Sequence, residues 1–184
     1  SPQPRFERIP LDIGSTVPNF HKSLAINTGE IFVIGGVDPV SNKKLDTITF
    51  LELDKFSLSV CAKLKIARSS HSLCYIEPYV YIVGGLSNSM ETLKSCERFH
   101  VDEGTIEDIA NLKIGASSCT VTPFNQNFLV KIGGSDENEK LCNVIEIYDI
   151  KKNTWELIRP KINSPQDISL TTCCGARQLN DTDI

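Results

Sequence analysis

Three times in this chain a run of β-branched and aromatic residues ends on a pair of glycines. Ile31-Phe32-Val33-Ile34 precedes Gly35-Gly36, Val80-Tyr81-Ile82-Val83 precedes Gly84-Gly85, and Leu129-Val130-Lys131-Ile132 precedes Gly133-Gly134. The step is 49 residues both times. A fixed period near 50, with one strand-like run per period, restricts the chain to a repeat architecture. Unbroken apolar runs, rather than strict alternation, predict strands covered on both faces. Small sheets stacked radially meet that condition, because each lies between two neighbours. The glycines that follow allow a positive φ or the close approach of another backbone.

The rest of each period reads as an antiparallel meander of four short strands joined by tight turns. The first unit has strands near 21–27, 30–36, 47–53 and 58–64. The second has them near 71–76, 79–85, 96–101 and 105–112, and the third near 119–122, 128–134, 144–150 and 154–158, with a loop over 123–127. Residues 5–10 read as the last strand of a preceding unit and 167–174 as the first strand of a following one. Leu51, Phe99 and Tyr148 each stand seven residues before Leu58, Ile106 and Trp155. These pairs are expected to fill the layers between sheets, as apolar cross-strand pairs do. Lys131 breaks the pattern, standing where the other units have Val33 and Ile82. An unpaired ammonium between sheets is costly. The alternatives are an ion pair with an acid such as Glu146, escape to the rim, or a place lining a water-filled centre.

Composition excludes several function classes. At 184 residues the chain is long enough for one domain with a sizeable core. Its net charge is −4 and its Lys and Arg are not gathered into a run, so no footprint for nucleic acid is present. No apolar stretch approaches the roughly 20 residues of a membrane span, and no membrane association is expected. The start, Ser1-Pro2-Gln3-Pro4, has neither the regions of a signal peptide nor an initiator Met, which suggests an excised piece. The seven cysteines are odd in number and include no Cys-x-x-Cys pair. They read as reduced and mostly buried in a cytoplasmic protein. His21, His71 and His100 stand at no ligand spacing from a cysteine, so neither a metal nor a cofactor is expected.

With these features in hand, the chain resembles the kelch repeats. The shared marks are the apolar run ending in Gly-Gly, the aromatic before the third turn, and the Trp that begins the fourth strand. A basic residue before a first strand occurs once, at Arg68. The resemblance covers residues 5 to about 174. Only the third unit has the full aromatic pair, Tyr148 with Trp155, and Ala116 stands where a second Arg would be expected. The resemblance implies an all-β fold: one kelch-type β-propeller segment over 1–184, with blades at 20–64, 69–112 and 117–159. A closed propeller takes four to eight blades, typically. The ring is therefore expected to be completed by the rest of a longer chain or by another subunit.

The function implied is a non-catalytic interaction scaffold or adaptor that binds a protein or peptide through loops at one end. Within the family such modules serve as ubiquitin-ligase substrate adaptors, cytoskeletal binders or assembly scaffolds. Position by position, the loops after Gly-Gly contribute Asp38, then Ser87 and Asn88, then Asp136 and Glu137. The turns that enter the first strands contribute His21, Ser70, Ser118 and Gln166. The competing reading is a kelch-type enzyme acting on a small molecule or through a metal such as copper. Copper requires several histidines and a tyrosine converging on one face. Neither a Ser-His-Asp constellation, a phosphate loop nor a His-Glu-x-x-His helix is present, so no catalytic residue is assigned.

Overall fold

A computed structural model describes residues 17–27, 30–52 and 57–159. The strands expected over 5–10 and 167–174 lie outside the described residues. Among the described residues, twelve strands form three four-stranded antiparallel sheets, each in sequence order, as an open arc of a kelch-type propeller. The first sheet is β1 (Lys22–Asn27), β2 (Glu30–Ile34), β3 (Thr47–Glu52) and β4 (Ser57–Lys63). The second is β5 (Ser72–Ile76), β6 (Tyr79–Val83), β7 (Cys96–His100) and β8 (Ile106–Ile109). The third is β9 (Thr120–Asn125), β10 (Phe128–Ile132), β11 (Ile145–Asp149) and β12 (Thr154–Ile158).

The three apolar runs are the inner strands β2, β6 and β10, each paired on both edges. The expected cross-strand pairs are direct neighbours: Leu51 opposes Leu58, Phe99 opposes Ile106, and Tyr148 opposes Trp155. Boundaries differ from expectation at several strand ends: β2, β6 and β10 stop before their glycines, and β8 stops at Ile109 rather than 112. Strand β9, by contrast, continues through the expected loop over 123–127 as far as Asn125, with Pro123 opposite Leu129. Because β9 is the edge strand of its sheet, its missing N–H removes no ladder bond.

The core lies between sheets. Phe32, Ile34, Ile48, Val80, Ile82 and Phe99 close the layer between the first and second. Tyr81, Val83, Cys96, Leu129, Tyr148 and Trp155 close the layer between the second and third. Trp155 also crosses that layer, its indole N–H donating to Ala110 O of the preceding sheet at 2.9 Å. Asn153 completes the latch, accepting from Ala110 N at 2.8 Å and from the Tyr148 hydroxyl at 2.7 Å. Cys74, Cys96, Cys119 and Cys142 are buried free thiols, whereas Cys61 is exposed. Burial pushes the Cys96 thiol up to about 12 and that of Cys119 up to about 11.

The glycine pairs have two separate roles. All six glycines have positive φ. The first of a pair faces the linker that leads to the following sheet: a Cβ on Gly35 would lie 2.5 Å from Arg68 O, and one on Gly84 would overlap Ala116 O. The second faces the lead-in to its own sheet, with Asn19 O, Ser69 O and Ser117 O at 2.8, 2.6 and 2.6 Å from a Cβ on Gly36, Gly85 and Gly134.

Candidate functional site

In every sheet the start of the first strand is registered with the end of the second: Lys22 with Ile34, Ser72 with Val83, Thr120 with Ile132. The loops after Gly-Gly and the lead-ins to β1, β5 and β9 therefore gather at one end of the arc. Isolated bridges extend the sheets there, with Val37 between Asn19 and Lys44, Leu86 between Ser69 and Thr92, and Ser135 between Ser117 and Leu141.

Beneath this end lie the charges that hold the linkers. Arg68 is wholly buried, and its Nη1 donates to Gly84 O and Ser95 O, both at 2.9 Å. Its Nη2 donates to Ser95 Oγ at 3.1 Å and to Glu97 Oε1 at 2.5 Å. Burial pulls the Arg68 guanidinium below arginine's ordinary range, and the charge of Glu97 opposes that pull. The other oxygen of Glu97 accepts from Lys65 N in the linker at 2.8 Å. In the third sheet Ala116 takes the place of Arg68, and the cation comes instead from Lys131 on β10, 3.6 Å from Glu146 Oε1. Glu146 accepts from Lys113 N at 2.7 Å, as Glu97 does from Lys65 N. Of the alternatives for Lys131, the structure thus takes the ion pair: both partners are fully buried. In the first sheet the corresponding residues, Pro18, Val33 and Thr49, carry no charge. Acid and base are thus present together or absent together.

Three of the loop residues singled out from the sequence build their own loops. Asp38 Oδ2 accepts from Ser41 Oγ at 2.6 Å and Oδ1 from Val40 N at 3.0 Å, bonds that hold its carboxyl below the usual range. Asp136 Oδ1 accepts from Asn138 N and Lys140 N at 2.8 and 3.0 Å. Ser87 is buried, and its Oγ accepts from Glu91 N at 3.2 Å. Asn88 is exposed, with Oδ1 accepting from Lys44 N of the neighbouring sheet's loop at 2.8 Å. Glu137 is exposed. His21 is half-buried, with Nδ1 2.6 Å from Pro18 O. Ser70 and Ser118 continue a backbone relay across the three sheets: Ser70 N donates to Phe20 O at 3.2 Å, and Ser118 N to Ser70 O at 2.7 Å. Gln166 lies outside the described residues.

That relay corrects one alignment. Phe20, not His21, is the equivalent of Ser70 and Ser118, and all three have φ between 53° and 55°. His21 instead matches His71 and Cys119. His71 is fully buried without a hydrogen-bond partner on either ring nitrogen. Burial first, then the positive charge of Arg68, pushes its pKa down to about 3.

Sequence reasoning picked polar residues at this end and passed over its apolar ones. Phe20 is 71% exposed, Val40 85% and Met90 65%, and Val17 and Leu141 are also exposed here. Loops closed by their own hydrogen bonds thus present large apolar side chains. Between the second and third sheets a cleft of about 110 Å³ has Lys94 and Lys113 on one side and Asp136 and Glu137 on the other. Among the described residues, no group of three or more His, Cys, Asp or Glu is placed to hold a metal ion. Among them, too, no helix is long and apolar enough to cross a membrane.

The Kelch motif matches residues 67–113 and 127–161, which contain the second sheet and strands β10 to β12 of the third. Kelch-like protein 41a of Danio rerio is 26% identical over 127 residues, covering 69% of this chain and 21% of that protein. Kelch-like protein 40 of Xenopus tropicalis is 27% identical over 153 residues, covering 83% of this chain and 25% of that protein. Kelch-like protein 38 of Homo sapiens is 26% identical over 129 residues, covering 68% and 22%. The chain spans about a quarter or less of the length of these relatives. Two matched motifs and these likenesses make the chain similar to kelch-repeat proteins, and three sheets of one plan at 49-residue intervals agree with that similarity.

Proposed function

We propose that the chain is a non-catalytic interaction scaffold or adaptor, one propeller segment over 1–184, that binds a protein or peptide partner through its loop end. The observation that carries this reading is the set of exposed apolar side chains there, Phe20, Val40, Met90 and Leu141, on loops that satisfy their polar groups internally. Exposed apolar residues gathered on rigid loops suit recognition of a partner. Asn88, Glu137 and Ser118 add hydrogen-bonding groups at the same end. An adaptor role in ubiquitin ligation, a cytoskeletal role and an assembly role all use such a platform in the cytoplasm.

In this reading further repeats complete the ring, from a longer chain or another subunit. The test is selection of peptides from a displayed random library against the immobilised chain. Selected peptides should lose at least tenfold in affinity with Phe20→Ser/Met90→Ser and none with Phe124→Ser at the opposite end. Peptides that bind all three proteins equally would refute the reading.

A further inference from the structure

At the end of the arc opposite the loops, a cleft of about 610 Å³ opens between the first and second sheets. Its floor is aromatic. Phe32 touches Phe50 and Phe99, each with ring centroids 5.4 Å apart, and Tyr75 lines the cleft beside them. Its rim is acidic: Glu77, Asp102 and Glu103 are exposed and line the mouth together with Glu30. No lysine or arginine is among its described lining residues.

We propose that this cleft binds a basic peptide segment, seating an arginine or lysine stem on the aromatic floor with its head among the rim carboxylates. Ring faces attract cations. Long basic side chains bury their methylenes on apolar surface while the charged group stays at the edge. A neutral apolar ligand would partly desolvate the exposed Glu77 and Asp102 carboxylates, so the rim selects for positive charge. The Tyr75 hydroxyl reports the local field, its pKa being raised by burial first and then by Glu77, Asp102 and Glu30. Cys61, the exposed thiol among the described cysteines, lines the same cleft and gives a direct reporter of occupancy.

The probe is a fluorescein-labelled heptapeptide of alternating glycine and arginine, with a glycine–glutamine counterpart, followed by anisotropy with the full chain. Saturable binding of the arginine peptide alone is expected. Glu77→Lys/Glu103→Lys should weaken it at least tenfold, while Glu137→Lys/Glu139→Lys, an equal charge change at the loop end, should alter it less than twofold. Both pairs are at exposed positions, and circular dichroism of each variant verifies the fold. The bound peptide should also slow alkylation of Cys61 by iodoacetamide at pH 8.5, followed by mass spectrometry. Equal weakening by both double variants would mean general attraction to an acidic protein and overturn the proposal. So would an unchanged Cys61 rate, equal binding of the glutamine peptide, or no saturable binding.

Discussion

His71 and the Lys131–Glu146 pair show how single buried polar groups set the behaviour of this chain. A histidine whose folded pKa lies near 3 against an ordinary 6.5 stays neutral in the folded state while the unfolded chain takes up a proton. Its contribution is complete above about pH 6.5 and is lost on acidification, at about 1.4 kcal/mol per pH unit. We expect His71→Cys, which installs the residue found at the matching place in the third sheet, to remove this slope. The stability difference between wild type and variant, measured by urea unfolding, should shift by about 2 kcal/mol between pH 7 and pH 5. Parallel pH profiles would contradict the assignment. For the ion pair, Lys131→Ala alone leaves a buried carboxylate without its cation and should cost about 3–5 kcal/mol. Lys131→Val/Glu146→Thr copies the first sheet, where Val33 opposes Thr49, and should recover most of that loss. Additive losses in the double variant would show that the two charges are not coupled.

At the scale of the strand and its turn, Gly35 and Gly84 space one sheet from the next. Gly84 and the exposed turn glycine Gly104 have similar φ, 62° and 69°, but among the described residues Gly84 faces a linker carbonyl and Gly104 meets nothing within 4 Å. Gly104→Ala should therefore cost only the left-handed backbone penalty, about 1–2 kcal/mol. Gly84→Ala must also displace Ala116 O and should cost clearly more, read as a lower urea midpoint. Equal midpoints would remove the spacer role. Strand β9 carries a related lesson: a proline read as a loop marker is tolerated within a strand because that strand is an edge.

Across the whole molecule, the contacts that join neighbouring sheets include the backbone relay Phe20–Ser70–Ser118, the Arg68 cluster, and the Trp155 latch on Ala110. Trp155 is 1% exposed and is the chain's one tryptophan, so its fluorescence reports the layer between the second and third sheets. Trp155→Phe keeps much of the apolar contact but loses the indole bond, and should cost about 1 kcal/mol. Trp155→Ala should cost about 3–5 kcal/mol. Thermal unfolding by circular dichroism checks both, and a Trp155→Ala variant as stable as wild type would show that the sheets are held by other contacts.

The repeated run ending in Gly-Gly was enough to determine the strand count per unit, the central strands and the opposed pairs from Leu51–Leu58 to Tyr148–Trp155. Period and alternation are local properties, and an apolar strand flanked by tight turns has few ways to pack. The candidate site was only partly legible. Polar residues at 38, 87 and 136 look alike in sequence whether they face a partner or close their own loop, and only coordinates distinguish the two. Phe20 was hidden by a one-residue offset in the lead-in, which the hydrogen-bond relay resolves. Whether Lys131 reached solvent or Glu146, and which residues from separate sheets converge on one cleft, depended on how the sheets are set against one another. Those contacts join residues tens of positions apart, so no local pattern encodes them and tertiary packing alone decides them.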